Sequence, residues 1–301
     1  MIEVPCNFCG SDNYTVKYPS TMNGQTANMA AFRCTTPDYG IHGRIVQCST
    51  CNHVYTNPVQ DGDELLELYA AVEDEIYVEE RIGRRLTFKK HLDALEKVTG
   101  PGNGRTILDI GAYIGIFVEV AREQGWDATG VDPSDWAVEY ARKAGLPVIH
   151  GTSDHPEFIG KYFDAVTMWD VIEHLADPLG ELKKAYALLK PGGTLAVHTM
   201  DIDSLISKMM GGRWPWYMAM HVQFFSQKTM VRFLEKAGFE VIWTGTQGRY
   251  LRLHYLVSRL GGLNRSLGRF SDLIVHTLRI GDRAIPVNFG DLFTVYARRI
   301  D

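Results

Sequence analysis

The sequence places four cysteines in two pairs near its beginning. Cys6 and Cys9 form one C-x2-C pair, and Cys48 and Cys51 form the second. Four thiolates from two such turns supply the tetrahedral ligand set that structural zinc prefers. The residue after each pair is a glycine or an asparagine, types that tolerate the left-handed backbone such a turn needs. We therefore predict one structural zinc ion held by these four residues.

Two other interpretations of the cysteines remain open. Four free thiols, some of them buried, would need no metal. A redox C-x-x-C site would require a pair between a strand and a helix, and neither pair lies in such a pattern. The fifth cysteine, Cys34, fits a small buried apolar residue.

A second set of residues joins a strand to a helix. The segment 108–115 places Asp109 at the end of a buried strand, with Gly111 and Gly115 in the turn that follows. The first glycine lets the turn approach a ligand, and the second lets helix and strand pack closely. Asp132 closes the next strand, and this spacing suits a carboxylate that binds ribose hydroxyls. The pattern predicts a nucleotide-type cofactor crevice.

The elements that must position these residues alternate along the chain. Short apolar runs are separated by helical periodicity with short connections, which is typical of a parallel sheet with helices on both faces. A proline and two glycines at 191–193 predict a turn. The predicted strands are 105–110, 127–131, 147–150, 163–169, 194–198, 240–244 and 293–297, and the predicted helices are 62–69, 78–98, 114–124, 136–144 and 179–188.

The segment from about 105 to 239 resembles the class I S-adenosylmethionine-dependent methyltransferases. Asp109, Gly111 and Gly115 match the first motif of that family, D-x-G-x-G-x-G, except that Tyr113 replaces the middle glycine. Asp132 matches the acid that ends the second strand. Three further matches follow in order, F-D-A-V-T-M-W-D-V-I-E-H-L-A-D-P at 163–178, L-L-K-P-G-G at 188–193 and H-V-Q-F-F-S at 221–226.

The resemblance implies an α/β fold, with the Rossmann-like seven-stranded class I methyltransferase sheet and a small N-terminal zinc-binding module. It implies S-adenosylmethionine as the cofactor, with the acids binding its amino group, ribose and adenine. The residues implied to contact the cofactor are Asp109, Gly111, Ala112, Tyr113, Gly115, Asp132, Asp154, Trp169 and Asp170.

The cysteine pairs also resemble a module that precedes some of these enzymes, including sugar C-methyltransferases of deoxysugar pathways. This resemblance implies a small-molecule acceptor, such as a sugar, a glycan or a nucleotide-sugar intermediate. An acceptor hydroxyl or acidic C–H needs a base. We expect His221 to be that base, with His174 or Glu173 as alternatives, and the aromatic insert 211–217 to fold over the acceptor as a lid. A purely structural role for either histidine is the competing interpretation.

We predict a zinc-binding module over 1–60, a helical linker or cap over 61–100, and the methyltransferase domain over 101–301. The helix over 78–98 should bury an apolar stripe that includes Ile82 and Leu86. An arginine-rich insert spans 246–290. One interpretation is a helical cap with solvated arginines, and the other is a basic surface for an anionic acceptor or a lipid headgroup.

Composition excludes several classes of protein. A net charge of −5 argues against a nucleic-acid binder. The chain has no apolar run long enough for a transmembrane helix, and its first residues do not resemble a secretory signal. Together with the reduced cysteines, this predicts a cytoplasmic protein of unspecified oligomeric state. The alternative functions are a zinc-containing cofactor-binding scaffold without catalysis, and an NAD-dependent oxidoreductase, which the motifs at 173–174 and 191–193 disfavour.

Overall fold

A seven-stranded sheet forms the centre of the computed structural model, which describes residues 1–22, 33, 35, 40–263, 269, 271, 273 and 275–300. Its strand order is β10-β13-β8-β7-β4-β5-β6, with β13 antiparallel to both neighbours and the other pairs parallel. The strands, numbered along the chain, are β1 (Tyr14–Tyr18), β2 (Ile45–Cys48), β3 (Val54–Thr56), β4 (Thr106–Ile110), β5 (Asp127–Asp132), β6 (Val148–His150), β7 (Phe163–Trp169), β8 (Leu189–Met200), β9 (Gln223–Phe224), β10 (Phe239–Thr246), β11 (Arg249–Arg252), β12 (Ala284–Val287) and β13 (Leu292–Arg299).

Helices cover both faces of this sheet, and two apolar clusters pack on its two sides. This arrangement confirms the predicted fold class. The helices are α1 (Gly62–Ala70), α2 (Glu75–Glu79), α3 (Arg81–Thr99), α4 (Ile116–Glu123), α5 (Asp135–Lys143), α6 (Pro178–Leu188), α7 (Leu205–Met210), α8 (Gln227–Lys236) and α9 (Leu253–Leu263). Among the described helices, none is long and apolar enough to cross a membrane.

A second sheet joins three strands from the beginning of the sequence to one strand that lies much later in the chain. It has the order β1-β2-β3-β9, with antiparallel pairing throughout. Strand β9 lies between α7 and α8, far along the chain from the other three. Strands β1 to β3 and the four cysteines beside them, residues 6–18 and 45–56, are called the cysteine region below. This region therefore shares a sheet with the segment that carries His221, the predicted base. The predicted boundaries at residues 60 and 100 stay a prediction.

The helix predicted over 78–98 is wrong in two respects. It is divided at Glu80 into α2 and α3, because the side chain of Asp74 accepts a hydrogen bond from the backbone N–H of Tyr77 and starts an earlier helix. Ile82 and Leu86 are 54% and 40% exposed, whereas the later part of α3 is buried. The first half of α3 packs instead through its glycine and threonine positions against β11.

The turn predicted at 191–193 lies inside β8. Phe163 of β7 pairs with Leu189, and Ala165 then pairs with Thr194, so the β8 residues between them form an irregularity in the ladder. Gly192 has a positive φ of 76° at its centre. The predicted turn is thus an irregularity within the strand, which starts five residues earlier than the apolar pattern indicates.

Candidate active site

A cavity of about 440 Å³ opens at the carboxyl ends of β4, β7 and β8. Ligands in open α/β sheets bind at this edge. Its walls come from α3, the hairpin of β11 and β12, α9 and the aromatic insert 211–217. The predicted site residues that line it are Gly111, Tyr113, Trp169, Asp170, Glu173, His174 and His221.

The turn after β4 has a left-handed backbone at three positions. The φ angles of Gly111, Tyr113 and Gly115 are 73°, 47° and 77°. A Cβ on Gly111 would lie 2.5 Å from Cγ2 of Val171, so this glycine is required by the neighbouring turn and not only by a ligand. A Cβ on Gly115 would lie 3.0 Å from Cδ1 of Leu146, which agrees with the expected close packing of helix and strand.

Tyr113 forms a wall of the cavity. Its ring lies edge-on to Tyr77 of α2, with 4.6 Å between centroids, and 5.8 Å from Trp136 of α5. Only 4% of the residue is exposed. The aromatic replacement of the family's middle glycine therefore links α2 and α5 above the turn.

Asp132 stabilises the same turn from below. It is fully buried, Oδ2 accepts a hydrogen bond from the backbone N–H of Tyr113 (2.8 Å), and Oδ1 accepts one from Ser134 (2.9 Å). Burial raises the pKa of Asp132 to about 6. Asp109 accepts a hydrogen bond from Oγ1 of Thr167 (2.7 Å), and burial raises its pKa to about 8. Neither carboxylate is among the residues that line the cavity.

Three other residues predicted to contact the cofactor lie outside the cavity lining. Ala112 is buried in the core beneath the turn, and Gly115 begins α4. Asp154 follows β6, and its side chain is 61% exposed and forms an ion pair with Lys184 of α6, so its contact with the cofactor stays a prediction. The chain turns outward after β6, so this carboxylate faces solvent.

Five residues form the floor of the cavity. Trp169 and Asp170 are predicted site residues, whereas His91, His198 and Arg249 are not. Oδ1 of Asp170 lies 3.4 Å from Nη2 of Arg249 and 3.9 Å from Nε2 of His198. The ring of His91 lies 4.9 Å from Trp169 and 4.6 Å from His198. Burial opposes ionisation of Asp170, but Arg249 and the histidines hold its pKa at about 2. These residues come from β7, β8, α3 and β11, so no local spacing could have grouped them.

Several polar atoms of this floor have no partner within the described part of the chain. They are the indole Nε1 of Trp169, Nε2 of His198 and Nε of Arg249. Buried polar groups in proteins are nearly always hydrogen-bonded. The floor therefore suits the polar part of a bound molecule.

Glu173, His174 and His221 form a second polar group in the cavity. Their ligand atoms all lie within 4.8 Å of one another, so the three could hold a metal ion. The Nδ1 atoms of His174 and His221 lie 3.0 Å and 2.8 Å from the carbonyl oxygens of Met220 and Trp216. A carbonyl only accepts, so each Nδ1 donates, and each neutral ring keeps a lone pair on Nε2.

Burial shifts the ionisation of this group. It lowers the pKa of His221 to about 3, with His174 contributing, and it also lowers the pKa of His174. Burial and the charge of Asp170 raise the pKa of Glu173 to about 8, and its Oε2 accepts a hydrogen bond from Thr199 (2.9 Å). Burial therefore favours the neutral form of both imidazoles at neutral pH.

The aromatic insert that is expected to fold over the acceptor lines the cavity and packs into a buried core. Trp214 is fully buried, and its cluster includes Tyr217, Phe224 of β9 and Ile45 of β2. The indole of Trp216 donates to Oδ2 of Asp291 (2.8 Å). Packing between the two sheets therefore holds the insert against the cavity.

The arginine-rich insert 246–290 is only partly described. Its hairpin and α9 cover the cavity, as one interpretation expected. Arg249 and Arg252 are not solvated as that interpretation supposed, because they face Asp170 and Glu80. The segment around Arg265 and Asp272 lies outside the described residues, as does Cys34.

The four cysteines converge at the edge of the second sheet. The Sγ atoms of Cys6 and Cys51 are 3.4 Å apart, and those of Cys9 and Cys48 are 3.6 Å apart. A tetrahedral zinc site with Zn–S bonds of about 2.3 Å has S–S edges of about 3.8 Å, so the thiols fit such an ion. The residues after the pairs, Gly10 and Asn52, have the expected positive φ angles of 72° and 64°.

Comparison with known proteins decides the family. A sequence model described as a methyltransferase domain matches residues 78–243, more than half of the chain. The chain belongs to the S-adenosylmethionine-dependent methyltransferases. The resemblance noted in the motifs is thereby confirmed.

The methyltransferase is similar to curated relatives over part of their length. The ubiquinone biosynthesis O-methyltransferase of Actinobacillus pleuropneumoniae is 30% identical over 121 residues, which are 36% of this chain and 52% of that protein. The enzyme of the same name from Dinoroseobacter shibae is 31% identical over 164 residues, 48% of this chain and 64% of that protein. The matches thus span between half and two thirds of these relatives.

Two solved structures show the same fold. A SAM-dependent methyltransferase from Archaeoglobus fulgidus aligns with a TM-score of 0.50 at 19% identity, covering 75% of this methyltransferase and 100% of that chain. A chain from the complex of the Haloferax volcanii Trm112 methyltransferase activator with its methyltransferase aligns with a TM-score of 0.53 at 16% identity, covering 80% and 98%.

Proposed function

We propose that the protein transfers the methyl group of S-adenosylmethionine to a small molecule bound in the cavity. The observation that carries this proposal is that one cavity joins the family's cofactor turn to the neutral imidazole of His221, whose Nδ1 donates to a carbonyl and whose Nε2 keeps its lone pair. Methyl transfer requires donor and acceptor to be aligned and water to be excluded. The aromatic walls and the anchored insert provide both.

The residues present fit the cofactor. Asp132 holds the backbone N–H groups of Tyr113 and Ser134 behind the turn, and its remaining lone pairs would reach ribose hydroxyls only when this turn shifts away from the carboxylate. The unpartnered indole N–H of Trp169 and Nε–H of Arg249 would bind the carboxylate of the amino-acid part, and Asp170 would bind its ammonium group. When bound, the cofactor supplies an electrophilic methyl group on its sulfonium.

The protein's own contribution to the reaction is a proton acceptor. We assign this role to Nε2 of His221, which takes the proton of the acceptor's hydroxyl or acidic C–H as the oxygen or carbon attacks. The carbonyl of Trp216 orients the imidazole through Nδ1 and stabilises the imidazolium that forms. His174 lies 4.8 Å away, centroid to centroid, and is the alternative base.

The acceptor we propose is a small molecule with a ring and an ionisable hydroxyl. The cavity wall is rich in aromatic side chains, among them Trp216, Tyr250 and Tyr255, which suit the face of a ring. The relatives' names describe O-methylation, which favours a hydroxyl acceptor. A sugar or nucleotide-linked sugar, and contact with a lipid surface, stay predictions.

We further propose that the four cysteines bind a structural zinc ion, because a closed set of four thiolates leaves no position for a substrate. Free thiols at these positions fit a reducing compartment such as the cytoplasm.

The proposal is tested by binding and by product formation. We expect S-adenosylhomocysteine to bind in calorimetry and NAD not to bind. A metabolite extract incubated with S-adenosylmethionine should yield a product heavier by one CH₂ group. Binding of NAD in place of S-adenosylhomocysteine would make the protein an oxidoreductase.

A further inference from the structure

The second sheet connects the cysteine region to the segment that carries His221. Val54 and Tyr55 of β3 pair with Phe224 and Gln223 of β9. The pairing continues past the strand, because the backbone N–H of Thr56 donates to the carbonyl of Val222 (2.9 Å). The segment 220–224 thus has the cysteine region as its immediate neighbour on one side.

Thr56 also reaches His221 itself. Its hydroxyl Oγ1 donates to the carbonyl oxygen of His221 at 3.3 Å. Thr56 is 7% exposed and lies five positions after Cys51. One residue of the cysteine region therefore binds the main-chain carbonyls of two consecutive residues, the first of which is the proposed base.

The other side of the same segment contacts the turn that carries the remaining polar residues. The N–H of Val222 donates to the carbonyl of Glu173 (2.9 Å), and the ring of His174 donates to the carbonyl of Met220 (3.0 Å). The segment is therefore held between β3 and the Glu173 turn. Loss of the β3 contacts would leave it fixed from one side only.

A buried side-chain pair extends this connection. Nε2 of His53 lies 2.8 Å from Oε1 of Gln223, and both residues are buried. The amide nitrogen of Gln223 donates to the carbonyl of Leu175 (3.2 Å), so its oxygen accepts and His53 donates. Gln223 thereby joins a residue two positions from Cys51 to the turn that follows His174.

Apolar packing supports the same geometry. Ile45 and Val54 of the cysteine region share one buried cluster with Trp214 and Tyr217. These two aromatic residues flank Trp216, whose carbonyl accepts from Nδ1 of His221. The orientation of the imidazole therefore depends on packing against β2 and β3 as well as on the backbone contacts.

We propose that Thr56 and the His53–Gln223 pair are positioning residues for methyl transfer, acting through the backbone of residues 221–223. This inference rests on the proposed function. Cys48 ends β2 and Cys51 lies in the turn between β2 and β3, so metal at the cysteines fixes the hairpin that holds His221. The cofactor turn, on β4 and β5, lies outside these contacts. Release of the metal should therefore impair transfer before it impairs cofactor binding.

Two variants test the inference without removing a cysteine. Thr56→Val deletes the hydroxyl that donates to His221 while keeping the branched shape, and Gln223→Leu deletes both amide contacts. Thr15→Val is the matched control, because Thr15 lies exposed on β1 of the same sheet. The readouts are metal content, affinity for S-adenosylhomocysteine, the NMR signals of histidine rings in labelled protein, and turnover.

We expect both variants to keep the metal and to bind S-adenosylhomocysteine within about twofold of the unmodified protein. The His221 ring signals should shift, and kcat should fall about tenfold or more with little change in KM for S-adenosylmethionine, since a small misplacement of a reacting group is costly. Thr15→Val should match the unmodified protein in every readout.

The inference is overturned if both variants keep His221 signals and turnover at the level of Thr15→Val. It is also overturned if they lose cofactor affinity and metal together, because that indicates general unfolding. If the unmodified protein transfers no methyl group, the proposed function fails, while the His221 signals still decide whether the module positions this residue.

Discussion

Asp132 shows how a single buried carboxylate can organise a binding turn. It holds the N–H groups of Tyr113 and Ser134 on its two oxygens, and its side chain has no contact with solvent. The spacing of Asp132 from Gly111 was visible in the sequence. Its partners were not, because they depend on the left-handed backbone of a tyrosine where the family usually has glycine.

Asp132→Ala should weaken binding of S-adenosylhomocysteine at least tenfold. The substitution removes the proposed ribose contact and leaves two buried N–H groups unpaired, each at about 1–3 kcal/mol. Calorimetry measures the affinity, and the thermal midpoint shows whether the variant is folded. Asp127→Ala, at the exposed start of the same strand, is the control. Unchanged affinity in a folded Asp132→Ala protein would place the ribose elsewhere.

His221→Ala should lower turnover by roughly 10²–10⁴-fold, the usual contribution of a positioned base. Affinity for S-adenosylhomocysteine should barely change, because the proposed base acts on the acceptor and not on the cofactor. His276→Ala, at an exposed position, is the control. Near-normal turnover in the His221 variant would make its role structural and His174 the next residue to test.

The pH profile of turnover should lack a rise between about pH 5 and pH 7. A base must be neutral, and burial lowers the pKa of His221 from its usual value to about 3, so the neutral form is already present throughout this range. Activity controlled by His221 would be lost only as pH falls towards that value. A rise centred near pH 6.5 that His221→Ala abolishes would contradict this assignment.

At the scale of elements, hydrophobic periodicity predicted α1 and most strands. It gave wrong helix boundaries and wrong burial where contacts with distant parts of the chain determine them. The helix predicted over 78–98 divides because Asp74 caps an earlier turn, and Leu86 is exposed because α3 packs on a hairpin 160 residues away in sequence. The sequence predicts only that the aromatic insert covers the acceptor as a lid, and it does not predict what the insert packs against. Trp214 fills a core between two sheets.

The zinc ion proposed for the two cysteine turns can be tested directly by measuring metal content. Cys48→Ser should abolish stoichiometric zinc and destabilise the β2–β3 hairpin, because three thiolates no longer complete a tetrahedron. Elemental analysis of freshly purified protein measures the metal. Cys34→Ser, outside both pairs, should keep it. Unmodified protein without zinc, or a Cys48→Ser protein with unchanged metal content, would rule out the proposed site.

At the scale of the whole molecule, the sequence contained enough ordered motifs to predict the class I sheet, and the structure and the family match confirm it. It did not predict that β9 completes the cysteine sheet, because a two-residue strand has no periodicity of its own. For the same reason His91, His198 and Arg249 were missed, since only the fold brings α3, β8 and β11 together. The polar floor of the cavity and the sheet that joins β3 to β9 both depend on contacts between residues far apart in the sequence.

The central claim is that the cavity supports methyl transfer, and isotope transfer tests it most directly. The protein is incubated with a metabolite extract and S-adenosylmethionine labelled in the methyl group, in parallel with His221→Ala and Asp132→Ala. We predict that a small molecule gains the labelled methyl group as S-adenosylhomocysteine accumulates in equal amount, and that both variants lose most of this transfer. Binding of S-adenosylhomocysteine without transfer of label to any molecule of the extract would contradict the account and favour a cofactor-binding scaffold.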